Sequence, residues 1–212
     1  YMFIPLYSSC AQKKCYPTKE KGFSILIPAF NETLVLKNCL MGILNVNYKD
    51  FEILFINDGS TDNTLETLHK HLKLITTPRS KQGVLSHEHV KGIYRSQKFP
   101  SIWVIDKENG GKADALNAGI EFATKEMIIT LDADSIIDAD ALNEMNQTFS
   151  DESVVAAGGL VNIVQGFKRN EEKLVPYFKL RGLIRYQIIQ YMTAFHLLKA
   201  TQSKFGAITV IA

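Results

Sequence analysis

The sequence predicts an α/β domain with a mostly parallel sheet flanked by helices, and three observations support this prediction. Short continuous apolar runs, such as residues 23–27 and 51–56, are typical of strands that are buried on both faces. Stretches with one apolar helical face alternate with these runs. Polar clusters follow the predicted strand ends, which is where open α/β sheets carry their sites.

The individual elements can be placed in order along the chain. The strand at 23–27 leads to a helix that Asn31 would cap and that ends near Leu44, and the strand at 51–56 leads to a helix at 63–74. Asn63 and Glu66 have the spacing of a capping box. The remaining elements are strands at 102–105, 127–131 and 154–164, a helix at 112–123, and a helix that Asp138 would cap and that ends near Phe149.

Two segments have weaker patterns. Residues 75–100 are polar and have little periodicity, so we interpret them as a long excursion with one short strand. Apolar residues in 176–199 step by three and four, and six basic and two acidic residues lie between 168 and 185. This pattern predicts a helix that lies at a membrane surface or, alternatively, one that packs on the rest of the protein.

Composition limits the classes of function. The chain has 212 residues, 46% hydrophobic and 22% charged, which is enough for one sizeable core or for one domain with an appendage. The net charge of +2 argues neither for nor against binding of nucleic acid. Because no long basic run occurs, we expect no nucleic-acid partner. Cys10, Cys15 and Cys39 lack a second pair to complete a zinc site, and we interpret them as reduced cytosolic thiols.

We predict three segments. Residues 1–20 form an N-terminal extension, and their apolar run YMFIPLY is either the end of a transmembrane helix or a frayed terminal segment. Residues 21–165 form the α/β domain. Residues 166–212 form an amphipathic helical segment and the start of a further part, because the final letters AITVIA resemble a strand that stops midway.

Polar clusters follow the predicted strands at residues 28–32 (PAFNE), 57–62 (NDGSTD), 107–112 (KENGGK) and 132–135 (DADS). Because the carboxyl ends of parallel strands meet at one edge of a sheet, we expect these clusters to form one site. The first two clusters also have good strand-stop, turn and helix-cap chemistry, and this alternative stays open for each of them alone.

The DADS cluster indicates a cation site. On an extended backbone Asp132 and Asp134 would project to one side and Ala133 to the other. Neighbouring carboxylates attract hard ions such as Mg²⁺ or Mn²⁺, which take oxygen ligands and share them with substrate phosphates. A calcium loop would need glycine at its sixth position, where this chain has Ile137. A solvated acidic turn remains the alternative.

Gly110, Gly111 and Lys112 directly precede a predicted helix. The glycines let backbone N–H groups approach an anion, and Lys112 adds a charge that can meet a phosphate. Neither a GxGxxG fingerprint nor a GxxxxGK[ST] P-loop occurs. Small residues would let this helix lie close to the sheet, namely Ala113, Ala115 and Ala118.

Taken together, SILIPAFNE, EILFINDGSTDNT, NGGKADALNAGI and IITLDADS resemble, in this order, the motifs of family 2 glycosyltransferases of the GT-A fold. The resemblance covers residues 23–160. The form GGKADALNAGI, with LIRYQIIQYMTAF downstream, is further similar to membrane-embedded processive β-glycan synthases, such as poly-N-acetylglucosamine, hyaluronan, chitin and cellulose synthases. The resemblance implies that residues 21–165 are a Rossmann-like GT-A domain that binds a nucleotide sugar.

This resemblance implies contacts with the uridine of a UDP-sugar. The backbone of Pro28, Ala29 and Phe30 would lie against the uridine, together with Glu32. Asp58 would also bind the uridine.

The resemblance also implies contacts with the diphosphate. Gly111 and Lys112 would lie near the phosphates. Asp132 would contact nucleotide and sugar and is a candidate second metal ligand, and Asp134 would bind the Mg²⁺ or Mn²⁺ ion on the diphosphate.

The family further implies transfer of a sugar, for which we expect N-acetylglucosamine, to a growing β-linked polysaccharide or oligosaccharide acceptor with inversion. The catalytic base of a TED-like motif, and a later QxxRW-like motif, are expected beyond Ala212. We therefore expect this chain to bind a donor without catalysing transfer. We expect the full-length protein to span a membrane, with this chain at its cytoplasmic face. The helix at 176–199 would be interfacial or would face a channel. The alternatives are a non-processive glycosyltransferase, or a non-catalytic nucleotide-sugar-sensing module.

Overall fold

The computed structural model describes residues 20–159, 167–170, 173–176, 182–191 and 193–194. The chain divides into two units, and the unit formed by residues 16–151 contains the main sheet. The described elements of the other unit are β7 (Phe167–Asn170), β8 (Lys173–Pro176) and α5 (Gly182–Tyr191). In that unit β7 and β8 form an antiparallel pair.

The main sheet has six strands in the order β3-β4-β5-β2-β1-β6. Strands β6, β1, β2 and β5 are mutually parallel, whereas β4 is antiparallel to both β5 and β3. This arrangement confirms the predicted α/β class with a mostly parallel sheet. The elements are β1 (Phe23–Ala29), α1 (Leu36–Leu44), β2 (Phe51–Asp58), α2 (Thr64–Leu72), β3 (Leu74–Thr76), β4 (Val90–Ser96), β5 (Ile102–Lys107), α3 (Lys112–Phe122), β6 (Met127–Thr130) and α4 (Ala141–Thr148).

Both faces of the central strands are buried, which explains their continuous apolar sequences. Ile25 and Ile27 of β1 pack into the larger cluster, to which α1, α2 and α4 contribute Leu36, Leu68 and Leu142. The intervening residue of β1, Leu26, packs into the second cluster, on the face that α3 covers. The pleat of the strand thus divides one apolar run between two cores.

Helix α3 lies close to the sheet through small residues, as the sequence predicts. Ala115 and Ala118 are fully buried, and a Cβ atom on Gly119 would lie 3.1 Å from side-chain atoms of Leu26 and Ile56. The prediction for Ala113 is wrong, because Ala113 is exposed on the opposite face of the helix.

Two helices begin later than predicted. Asn31 does not cap α1, because its φ is 58° and the helix begins only at Leu36. Asp138 likewise precedes α4 by a turn, in which its carboxylate accepts a hydrogen bond from the N–H of Asp140. In both places the polar residue shapes a turn between the strand and the helix instead of ending the helix itself.

Predictions for the polar excursion and the following region are partly wrong. Residues 75–100 contain most of β3 and all of β4, where we predicted one short strand. Residues 154–159 have no regular structure, so that part of the predicted strand at 154–164 is wrong, and the rest lies outside the described residues. The predicted extension at 1–20 also lies outside them, apart from residue 20.

The predicted helix at 176–199 is described only at residues 176, 182–191 and 193–194, and α5 occupies 182–191. Among the residues that the structure describes, no helix is both long enough and apolar enough to cross a membrane.

Glu52 near the start of β2 joins several elements at the amino edge of the sheet. This carboxylate is 5% exposed and accepts hydrogen bonds from Ser24 Oγ at 2.7 Å and Arg79 Nη2 at 2.6 Å. The N–H and hydroxyl of Thr124 also donate to it. Burial alone would raise the pKa of Glu52, but the hydrogen bonds from Arg79, Ser24 and Thr124 hold it below the usual value.

We expect Glu52→Gln to lower the free energy of unfolding by about 3 kcal/mol, because it leaves the buried Arg79 without its counter-charge. Urea denaturation measures this loss. Because the pKa of Glu52 is depressed, the native protein should be more stable than the variant by the full amount above the ordinary glutamate pKa. This difference in the free energy of unfolding should vanish as the pH falls through the depressed pKa.

The matched control is Glu126→Gln, which removes an exposed carboxylate that lies 3.0 Å from Lys21. This substitution should change stability by less than about 1 kcal/mol. Equal losses of stability in the two variants would contradict the role of Glu52 as the counter-charge of Arg79. A loss of stability in Glu52→Gln that does not depend on pH would contradict it as well.

Candidate functional site

A cavity of about 360 Å³ lies at the carboxyl edge of the sheet, where β1, β2 and β6 end and α3 begins. Eight of the nine residues that the sequence predicts for the site line it, and Gly111 does not. The predicted convergence of the motifs therefore occurs in space. The lining residues are Pro28, Ala29, Phe30, Glu32, Asp58, Lys112, Asp132, Ala133 and Asp134.

Asn31 connects the turn after β1 to the turn after β2. Its side-chain oxygen accepts hydrogen bonds from the N–H groups of Thr61 at 2.8 Å and Asp62 at 3.2 Å. Its own N–H donates to Ser60 Oγ at 3.0 Å. The left-handed conformation of Asn31, which asparagine tolerates better than most residues, turns its side chain toward these partners. The PAFNE and NDGSTD motifs thus form one connected surface.

Asp58 at the end of β2 organises the glycine turn. It is 3% exposed, and it accepts hydrogen bonds from the N–H groups of Gly110 at 3.0 Å and Gly111 at 2.8 Å. Asn109 Nδ2 also donates to it at 3.3 Å. The glycine N–H groups that we expected to approach a ligand anion are therefore bonded to an anion of the protein itself.

Two glycines are required by this geometry. A Cβ atom on Gly59 would lie 2.7 Å from the backbone nitrogen of Asn109, so only glycine lets the turns after β2 and β5 approach this closely. Gly111 has a φ of 89°, which L side chains rarely adopt, and this conformation directs its N–H toward Asp58.

Lys107, the first residue of the predicted KENGGK cluster, has a central structural role that the sequence does not indicate. It ends β5, is fully buried, and places its ammonium 2.7 Å from Asp58 and 2.5 Å from Asp114 of α3. The same ammonium donates to the carbonyl of Glu108 at 2.5 Å. The only local signal is a charged residue at the end of an apolar strand, which is usually interpreted as solvent-exposed.

The charges of this cluster stabilise one another. Burial lowers the pKa of Lys107, but hydrogen bonds to Asp114 and Asp58 raise it above the ordinary lysine value. Burial likewise raises the pKa of Asp114, while hydrogen bonds from Lys107 and the N–H of Glu88 hold it below the ordinary value. Lys107 and Asp114 are therefore both charged at neutral pH.

The polar side of α3 also holds the loop that precedes β4. Glu121 is 1% exposed and accepts hydrogen bonds from the N–H groups of Leu85, Gly83 and, at 2.7 Å, Val84. The bonds from Leu85, Gly83 and Val84 hold the pKa of Glu121 below its usual value. In the first turn of α3, Asp114 accepts a hydrogen bond from the N–H of Glu88 at 3.0 Å. Helix α3 thus links this loop to the buried lysine.

Asp132 and Asp134 both line the cavity, as the sequence predicts, but they lie in a turn after β6 and not on the predicted extended backbone. Both are exposed toward the cavity, while Ala133 between them is 3% exposed. Asp132 forms an ion pair with Lys112 at 2.5 Å, and the side chains are 58% and 62% exposed. Because two accessible carboxylates plus substrate phosphates suit Mg²⁺ or Mn²⁺, this donor set fits such an ion.

Other candidate metal ligands are less suitable. Within the described ranges, no group of three or more His, Cys, Asp or Glu side chains could hold an ion unaided. Burial, and then the charge of Asp134, raises the pKa of the free thiol of Cys39 to about 12, so this thiol stays protonated at neutral pH. Cys10 and Cys15 lie outside the described residues.

The sequence profile of Glycosyl transferase family 2 matches residues 24–200. The chain belongs to this family. Among similar relatives, the poly-β-1,6-N-acetyl-D-glucosamine synthase of Staphylococcus aureus (strain COL) is 31% identical over 192 residues, and that of Staphylococcus epidermidis is 32% identical over the same length. Each alignment covers 91% of this chain and 38% of the relative, so the chain spans well under half the length of these proteins.

A solved structure with a similar fold is the mannosyltransferase PcManGT of Pyrobaculum calidifontis, in complex with GDP-Man and Mn²⁺. The TM-score is 0.55 at 21% identity, and the match covers 71% of this chain and 38% of that one. At this identity the similarity bears on the fold alone. Together with the family match, it confirms the GT-A fold for the family 2 domain.

We expect Lys107→Met to destabilise this family 2 domain by about 3 to 5 kcal/mol, because it leaves the buried carboxylate of Asp58 and the partly buried one of Asp114 without a cation. Chemical denaturation at neutral pH measures the loss. Because the pKa of Lys107 is raised, its contribution is complete below the ordinary lysine pKa and is lost only as the pH rises through the raised value.

Lys112→Met is the control, since Lys112 lies five positions further along the chain but pairs with Asp132 in solvent. It should change stability by less than about 1 kcal/mol. A loss of similar size in both variants would contradict a structural role specific to Lys107.

Proposed function

We propose that this chain is the donor-binding part of a glycosyltransferase that uses a UDP-sugar, with UDP-N-acetylglucosamine as the donor. The observation that carries the proposal is the cavity at the carboxyl edge of the sheet, which places Lys112, Asp132 and Asp134 beside the turn after β1. The choice of sugar and of a β-linked polysaccharide product is supported by the names of the poly-β-1,6-N-acetyl-D-glucosamine synthases that the chain resembles.

The turn after β1 offers a surface for the uridine. The ring of Phe30 is 49% exposed at the cavity and can lie against the flat face of a base, while Glu32 can accept a hydrogen bond from the base or ribose. Asp58 also lines the cavity, but its oxygens already accept bonds from Lys107 and the glycine turn. We propose that Asp58 mainly holds this turn in place, beside any contact with uridine.

The diphosphate would lie between Lys112 and the two aspartates of the DADS motif. Lys112 and Asp132 pair with each other, and both are largely exposed, so their pair is weak and opens at little cost. Lys112 could then bind a phosphate, while Asp134 and Asp132 would hold Mg²⁺ or Mn²⁺. A divalent ion there supplies Lewis-acid stabilisation of the departing UDP.

The remaining steps belong to the whole protein. We propose that transfer proceeds with inversion to a polysaccharide or oligosaccharide acceptor, whose hydroxyl is deprotonated by a base beyond Ala212, as the family resemblance implies. On this proposal the chain binds a donor but does not transfer the sugar by itself. We also propose that the full-length protein is a membrane protein, with this domain at the cytoplasmic face.

The metal half of the proposal is tested with Asp134→Asn. In calorimetric titrations with UDP and Mn²⁺, we expect this substitution to weaken binding at least about tenfold, or about 1.4 kcal/mol, because it removes a charged metal ligand. In EDTA, the variant and the native chain should bind UDP equally weakly.

Asp138→Asn is the matched control, since it removes the same charge from an exposed position that does not line the cavity. It should leave the affinity in Mn²⁺ unchanged. An affinity of the native chain for UDP that is the same in Mn²⁺ and in EDTA would contradict Asp134 as a metal ligand. No measurable binding of UDP under either condition would contradict the donor site itself.

Lys112→Met tests the phosphate half. We expect it to weaken binding of UDP about tenfold while leaving the weak binding of uridine unchanged, because Lys112 would contact only the phosphates. Lys37→Met, on the exposed side of α1, is the control and should alter neither affinity. Equal losses for UDP and uridine would place Lys112 against the nucleoside instead.

A further inference from the structure

A second cavity, of about 570 Å³, lies at the opposite edge of the sheet from the donor cavity. It is formed by the starts of β2 and β5, the end of β4 and the segments that follow β3 and α3. Its volume is within the range of about 300 to 1,000 Å³ that is usual for small-ligand sites. The side chains that define its chemistry are Arg79, Ser80, Arg95, Ser101, Trp103 and Lys125.

Two guanidinium groups share one indole ring in this cavity. The Cζ atoms of Arg79 and Arg95 lie 4.3 Å and 5.2 Å from the ring centroid of Trp103. Arg79 Nε donates to the carbonyl of Phe122 at 2.7 Å, and Arg95 Nε donates to the carbonyl of Pro100 at 2.8 Å. Stacking and these bonds fix both planes, so little side-chain freedom remains to be lost when a ligand binds.

The cations of this cavity are unequally neutralised. Arg79 is paired with the buried Glu52, and Lys125 is paired with Asp50. Arg95 has no carboxylate within ion-pair distance in the described part of the chain, and its two terminal nitrogens make no hydrogen bond there. The cavity therefore keeps a net positive charge, and its guanidinium fork is free to bind an oxyanion.

We propose that this cavity binds the phosphate group of a small ligand, in addition to the donor site. The available donors come from different directions, because Arg95 lies on β4, Ser101 precedes β5 and Ser80 follows β3. A tetrahedral phosphate presents oxygens in several directions and can accept from all three elements, whereas a planar carboxylate matches a single fork. The ligand is distinct from the donor diphosphate, which would lie at the other edge of the sheet.

Trp103 gives a direct measurement, because it is the only tryptophan of the chain and it lines the cavity. The full chain is titrated with inorganic phosphate and separately with glycerol phosphate, at constant ionic strength maintained with chloride. We expect a saturable change in Trp103 fluorescence, and an affinity at least about tenfold weaker in Arg95→Gln. Saturation by inorganic phosphate would show that the free anion is sufficient for binding. Saturation by glycerol phosphate alone would show that the cavity requires a phosphomonoester. Both outcomes support the proposal.

Lys98→Gln is the matched control, since Lys98 is exposed close to Arg95 in the sequence but does not line the cavity. It should bind phosphate as the native chain does. Far-UV circular dichroism verifies that both variants are folded, and a phosphate-dependent rise in melting temperature, lost only in Arg95→Gln, gives a second readout that does not depend on fluorescence.

Three kinds of result would overturn the proposal. The first is a response that stays linear in both inorganic phosphate and glycerol phosphate, or that chloride reproduces. The second is acetate binding as tightly as phosphate, or Arg95→Gln binding as tightly as the native chain. The third is displacement of phosphate by UDP with Mn²⁺, which would assign the signal to the donor cavity; an unchanged phosphate titration under saturating UDP supports a separate site.

Discussion

The candidate site depends on the buried ammonium of Lys107 between Asp58 and Asp114. These side chains come from the end of β2, the end of β5 and the first turn of α3, so one cation fixes three elements relative to one another. Asp58 then holds the N–H groups of Gly110 and Gly111, and the position of Lys112 follows from that turn. A charge buried this deeply is tolerated only with its partners. Replacing one member of the cluster therefore leaves a buried charge unpaired and destabilises the fold.

Helix α3 serves the site through two different faces. Small residues on one face bring the helix close to the sheet, and Gly119 allows contact with Leu26. Polar residues on the other face, Asp114 and Glu121, accept backbone N–H groups of the loop before β4. These bonds hold the loop through its backbone N–H groups and do not require a periodic pattern of apolar side chains, which is consistent with the sequence of the loop.

The parts of the fold and site that were predictable from the sequence are those with local signals. Apolar runs specify the central strands, and the four motifs follow strand ends, so the parallel strands of the sheet and eight lining residues of the cavity could be predicted. The roles of Asn31 and Lys107 could not be predicted, because they depend on partners that lie far along the chain, at Thr61 and Asp58. A polar residue before a helix looks like a cap, and a lysine at a strand end looks solvated. Strand β4 escaped prediction because it is antiparallel and only half-buried, so no continuous apolar run marks it.

Buried and exposed ion pairs have different roles in this domain. At the amino edge Glu52 and Arg79 are buried and permanently paired, whereas at the carboxyl edge Lys112 and Asp132 are paired in solvent. A buried pair cannot exchange partners without exposing an unpaired charge, but an exposed pair can do so at little cost. Lys112 of the exchangeable pair directly follows the turn that Lys107 and Asp58 hold in place. On the proposed function, a ligand with a diphosphate and a divalent ion would meet charges that are free to rebind, beside a turn that is already held in place, which is the condition for binding with a small reorganisation energy.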